Sequence, residues 1–192
     1  MFEHVTLLLS FVYAVALTHL LSSATELLIA RKRVRLSGLY VAWLVSALLL
    51  LLVNWMALWG LVALKRWTVA EVLIQFLTAA VQYFACSTFR IAEARDDGLI
   101  DLPAIFKERR PLICGFFLAL AVIGSFVNWW DRNNMAGLNP DDWIAEDLAI
   151  VPMGIALIIA GWVRPKWIQW LAAALVFGLE VFFLINYAIP TH

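Results

Sequence analysis

The chain has 192 residues, 64% of them hydrophobic and only 15% charged, with a formal net charge of zero. Soluble domains run closer to about half apolar, and a mean hydropathy of +0.88 leaves too little polar surface for a globule that faces water, so the composition points to a membrane protein. A net charge of zero gives no global basic field for nucleic acid. Cys86 and Cys114 both sit in apolar runs without CxxC spacing, which suggests neither a disulfide framework nor a structural zinc site. The start, Met1-Phe2-Glu3-His4, has no positive region ahead of its apolar run, which argues against a cleaved secretory signal.

A spanning helix needs roughly 20 apolar residues. The sequence predicts six, at about 5–29, 39–62, 69–90, 111–130, 146–163 and 167–189, joined by loops short enough to make neighbours antiparallel. The expected fold class is all-α: one polytopic membrane domain over 1–192, a bundle of six transmembrane helices.

The first span carries His19, Ser22, Ser23 and Glu26 at i, i+3, i+4 and i+7, which places them on one helix face. Glu26 can reach the interface beside Arg31, while His19 lies deeper, where it either hydrogen-bonds a neighbouring helix or binds a ligand. The second span is nearly pure Leu, Val, Ala and Trp, with Ser46 its only deep polar residue; it reads as a lipid-facing or packing helix. The third is different. Glu71, Gln75, Thr78 and Gln82 recur at i, i+4, i+7 and i+11 and cover roughly 16 Å of one face at 1.5 Å per residue. Polar groups are costly in hydrocarbon, so this face should point into the bundle or into water, either as interhelical glue or as the lining for an ion, proton or small solute.

Between the third and fourth spans, Leu102, Ile105 and Phe106 beside Lys107, Arg109 and Arg110 predict a short amphipathic helix on the inner leaflet. Pro111 then suits the first turn of the fourth span. Gly115, Gly124 and Ser125 of that span permit close helix approach. The oxygens of Asp131 to Asp142 tempt a calcium reading, but Met135 and Ala136 stand where a ligand and a glycine belong. A helix start fits better, with Asn139 as cap, Pro140 in the first turn, and Asp141 and Asp142 at the positive dipole end. Pro152 predicts a kink in the fifth span. The sixth carries Glu180, about 20 Å in from Trp167 at 1.5 Å per residue. A carboxylate there costs roughly 2.5–3.5 kcal/mol on insertion scales, which implies a partner or a protonated state. Convergence of spans one, three and six would give one polar interior, in which Glu180 meets Gln75, Thr78 or Gln82 and either serves a proton-coupled carrier or stays protonated in a purely structural hydrogen bond.

Eleven of the 14 basic residues, among them Arg31, Lys32, Arg33, Arg35, Arg95 and Lys166, fall on one side. The positive-inside rule then puts both termini outside the cytoplasm. Val53-Asn54-Trp55 recurs as Val127-Asn128-Trp129 and loosely as Ile185-Asn186-Tyr187, while Glu3, Glu71 and Glu146 open the preceding spans. This pattern predicts three repeated helical hairpins and an outer-face cluster of Glu3, His4, Asn54, Asn128, Glu146 and Asn186. A divalent cation favours such carboxylates, yet no pair has a helix spacing that fixes two ligands, and no metal site is expected. His4 and His19 share one helix about four turns apart, which argues against bis-histidine haem; no cofactor is expected. There is no Ser-His-Asp pattern, phosphate loop or HExxH, hence no catalytic residue to name and no positive sign of an enzyme. Most of the ten Trp fall at span ends, as an aromatic belt requires.

Ala16-Leu17-Thr18-His19-Leu20-Leu21, the basic turn Arg31 to Arg35 and the Trp-rich end of the second span resemble a group of uncharacterised bacterial six-helix membrane proteins. The resemblance covers mainly the first two spans and implies a bacterial inner membrane, with both termini periplasmic. Three functions are expected from the residues: a small channel or proton-coupled carrier lined by Glu180, Glu71, Gln75, Thr78, Gln82 and His19; a non-transporting structural or assembly subunit; and a membrane sensor acting through the inner loop. The expected partners are the lipid bilayer and a second copy or another membrane protein, and no nucleic acid.

Overall fold

Long runs of Leu, Ala, Val and Ile, broken only by short polar turns, fold into six helices in a computed structural model that describes residues 2–63, 67–91, 99–134 and 142–186. They are α1 (Phe2–Ile29), α2 (Gly38–Ala57), α3 (Val69–Ser87), α4 (Leu102–Asn134), α5 (Asp142–Trp162) and α6 (Lys166–Asn186). α2 starts where the Ser37 hydroxyl accepts from the Tyr40 backbone N–H, and α3 starts on a capping box formed by Thr68 and Glu71. α1, α2, α3, α4 and α6 are long and apolar enough to cross a bilayer. The described apolar run of α5, Ile150–Trp162, is shorter.

The helices form a closed circuit. α1 packs on α3, α3 on α4, α4 on α5, α5 on α6, α6 on α2 and α2 on α1. α2 also touches α3 and α4, so of the two expected roles this most apolar helix takes that of a central packing helix. Trp43 and Ala47 on it are fully buried, and the Trp43 ring stands edge-on to Phe117 of α4 at 5.3 Å. α1–α2, α3–α4 and α5–α6 each pack together, but α1 lies chiefly along α3 and α2 along α6. All three expected hairpin pairs are thus in contact, but they are not the largest contacts throughout, and the contacts by themselves do not single out a threefold repeat.

α4 has 33 residues with Pro111 inside it. At 1.5 Å per residue it is about 50 Å long, well beyond the roughly 30 Å hydrocarbon layer. The segment expected as a separate amphipathic helix on the leaflet is thus the continuous base of α4. Its apolar side faces protein: Leu102 and Phe106 are buried in the core and Ile105 packs against it. Two-residue strands β1 (Val34–Arg35) and β2 (Ile100–Asp101) pair in parallel, with Arg35 3.8 Å from Asp101. They join the turn after α1 to the start of α4.

Small residues set the α4–α5 spacing, but not the expected ones. A Cβ added at Gly115 or Gly124 of α4 would meet nothing within 4 Å. On α5, a Cβ at Gly154 would touch Leu118 and one at Gly161 would touch Cys114, both at 3.6 Å. Seven residues apart, these two glycines lie on one face of α5. At the α2–α6 contact, a Cβ at Gly38 would sit 3.1 Å from the Trp170 ring, a tight approach that any larger residue would meet only by a shift of that ring. The outer surface carries Leu7, Phe11, Leu73, Phe76, Leu77, Val122, Phe126, Ile155 and Phe182. On a water-soluble monomer such a girdle would be an aggregation hazard; on a helical bundle it suits an integral membrane protein.

Candidate functional site

The α3 periodicity puts its four polar residues on one face, and all four are buried: Glu71, Gln75, Thr78 and Gln82. Glu71, Thr78 and Gln82 spend their hydrogen bonds differently. Glu71 belongs to its own helix start. Its carboxylate accepts from the Thr68 backbone N–H at 2.5 Å, and its own N–H donates to the Thr68 hydroxyl at 3.3 Å. The sequence signal for this is Thr-x-x-Glu ahead of an apolar run. The Thr78 hydroxyl donates back to the Ile74 carbonyl at 2.9 Å. Gln82 is fully buried and bridges helices: its carbonyl oxygen accepts from the Asn54 amide of α2 at 2.8 Å, and its own amide lies 3.5 Å from the Cys86 sulfur. Asn54 is half-buried and reaches Gln82, thirteen residues into α3.

Glu180 of α6 is 3% exposed. It makes no hydrogen bond to the polar face of α3 among the described residues, and its helix packs chiefly on α2 and α5. The polar side chain facing it is Ser46 of α2. The two do not reach hydrogen-bonding geometry: both Glu180 carboxyl oxygens, the Ser46 hydroxyl and the Trp43 indole N–H are buried with no partner among the described residues. Ser46 and Trp43 lie three apart on α2, so they share a face. The single polar interior expected from spans one, three and six is instead two separate groups. One is the Asn54–Gln82 bridge between α2 and α3; the other is Glu180 of α6 with Ser46 of α2.

His19 is half-buried, and its ring meets Tyr83 of α3 edge-on at 5.3 Å. Its expected face divides: Ser23 is buried and donates to the His19 carbonyl at 2.9 Å, whereas Ser22 and Glu26 are exposed. Glu3 and His4 are exposed, and Asn128 is half-buried. The side chains of Glu146 and Asn186 lie outside the described residues, so the outer-face cluster is not assembled from what is described. Among the described residues, no three His, Cys, Asp or Glu side chains come together as metal ligands would.

Two further polar residues, which carry no local sequence signature, close helix ends. The buried Gln169 of α6 donates to the Ala160 carbonyl at 2.8 Å and the Val163 carbonyl at 2.6 Å, satisfying the end of α5. Arg109 of α4 donates to the Thr88 carbonyl at 2.9 Å and also to the Arg90 carbonyl, satisfying the end of α3. Neither role can be read along the chain, since both residues serve a helix other than their own. Comparisons with family models, with curated proteins and with solved structures find no match for this chain.

Proposed function

We propose that the chain is a small proton-linked carrier or channel, crossing a bacterial inner membrane six times with both termini periplasmic, and that Glu180 is its protonatable group. The observation that supports this reading is the burial of a mid-span carboxyl with neither oxygen hydrogen-bonded among the described residues. An unpaired carboxylate at that depth is expensive, so a position that keeps one needs a reason other than packing. Ser46 is the neighbouring hydroxyl able to take up or pass on a proton after a side-chain rotation. The test is proton entry into dye-loaded proteoliposomes under an imposed potential. Glu180→Gln retains hydrogen-bonding capacity and should fold normally, and it should abolish the flux carried by the unmodified protein. Equal flux through both would remove Glu180 from the mechanism.

A second reading, a non-transporting structural subunit, is favoured by the Asn54–Gln82 bridge. That bridge uses a buried polar pair to lock two helices rather than to line a path. The same flux assay separates the two, since a structural subunit gives none before or after substitution. A sensor working through a free amphipathic inner helix has lost its support, because Leu102 and Phe106 are buried.

A further inference from the structure

Between the lower halves of α3 and α4 runs an open groove of about 530 Å³. Its lining changes along its length. Arg90, Arg109 and Ser87 stand at the end nearest the α3–α4 turn, while Leu112, Phe84 and Phe116 rise away from it. From Arg109 to Phe116 is about 10 Å along α4 at 1.5 Å per residue. Phe84 and Phe116 stack nearly parallel at 6.2 Å. Phe84 and Leu112 are about half exposed, so the apolar part opens sideways to where lipid lies. Arg90 is exposed, and neither arginine is ion-paired among the described residues.

We propose that this groove seats one anionic phospholipid, with its phosphate against Arg90 and Arg109 and an acyl chain along Leu112, Phe84 and Phe116. The amphipathic order of the groove matches that of a lipid, cationic at the headgroup level and aromatic or aliphatic within the hydrocarbon. A free phosphate would use the arginine end and leave the apolar flank bare. Two further features fix the choice. The groove lies at the end of the bundle where the basic residues concentrate, which under the positive-inside rule faces the anionic leaflet. Arg109 is already oriented by its bonds to the Thr88 and Arg90 carbonyls through one nitrogen, and its remaining N–H groups, which make no bond among the described residues, can turn to a phosphate.

The test is native mass spectrometry of the full chain released from detergent containing equal phosphatidylglycerol and phosphatidylcholine, with inorganic phosphate added in a separate arm. One retained phosphatidylglycerol per chain, in preference to phosphatidylcholine and undiminished by millimolar phosphate, is expected. Arg90→Gln should lower that retention about fivefold, the worth of one arginine–headgroup attraction. Arg33→Gln, at the same end but outside the groove, should leave it unchanged. Phe84→Ala should weaken retention of both lipids. Arg109 is left intact because it also closes α3. Equal retention of the two lipids, displacement by phosphate, or an Arg33→Gln loss as large as that of Arg90→Gln would each overturn the proposal.

Discussion

One side-chain pair couples α2 to α3. The Asn54 amide donates to Gln82 across 2.8 Å, and Gln82 is fully shielded. Membrane interhelical hydrogen bonds average about 0.6 kcal/mol and reach about 1.7 kcal/mol. A buried polar group robbed of its partner adds a desolvation cost of about 1–3 kcal/mol. Asn54→Ala should therefore destabilise the bundle by about 1–2 kcal/mol, because it strands the Gln82 oxygen. A double-mutant cycle with Gln82→Ala, read by unfolding in mixed detergent, should show a coupling of about 0.6–1.7 kcal/mol. Strictly additive losses would mean that the bond is not made in the folded protein. The contrast with Glu180 is instructive at this scale: of two deep polar residues, one is paired and structural while the other is enclosed without a partner among the described residues.

At the scale of elements, α5 is held to α4 through its glycine face. Gly161 and Gly154 would each bring an added Cβ to 3.6 Å from α4 side chains, which is ordinary contact. Alanine at Gly161 should thus be accommodated within a few tenths of a kcal/mol. Leucine has no room, and overpacking of this kind costs about 1–3 kcal/mol. Thermal unfolding in detergent should separate the two variants, and a Gly161→Leu protein as stable as the parent would show that α4 and α5 are not in close contact. The same helix end depends on Gln169, whose two bonds to α5-end carbonyls replace the missing next turn.

For the whole molecule, β1–β2 pairing and the Gly38–Trp170 approach put the turn after α1, the start of α4 and the start of α6 at one end. Cysteines introduced at Lys32 and Lys166 should therefore react with an impermeant maleimide from the same side of the membrane. In the proposed orientation that side is the cytoplasm, so both should label only after permeabilisation, whereas His4→Cys should label on intact spheroplasts. Cys86 and Cys114 are buried and should contribute little background. Labelling of Lys32 and Lys166 from opposite sides would contradict the fold, and inversion of all three would contradict only the orientation.

Composition and periodicity alone established an apolar helical chain, the polar face of α3 and the burden of a mid-span carboxyl, because each depends on residues along one helix. The sorting of basic residues was equally legible, since it follows from which turn each one occupies. The tertiary structure decided everything that required two helices. It made α2 a central packing helix, set Glu180 beside Ser46 of α2, joined Asn54 to Gln82, and turned Leu102 and Phe106 from a leaflet to the core. The spacing of polar residues along a helix marks which of its faces must be shielded. Inside a bundle whose members are nearly all apolar, that spacing does not say against which neighbour, and the choice is made by shape, small-residue contacts and the few hydrogen bonds that cross between helices.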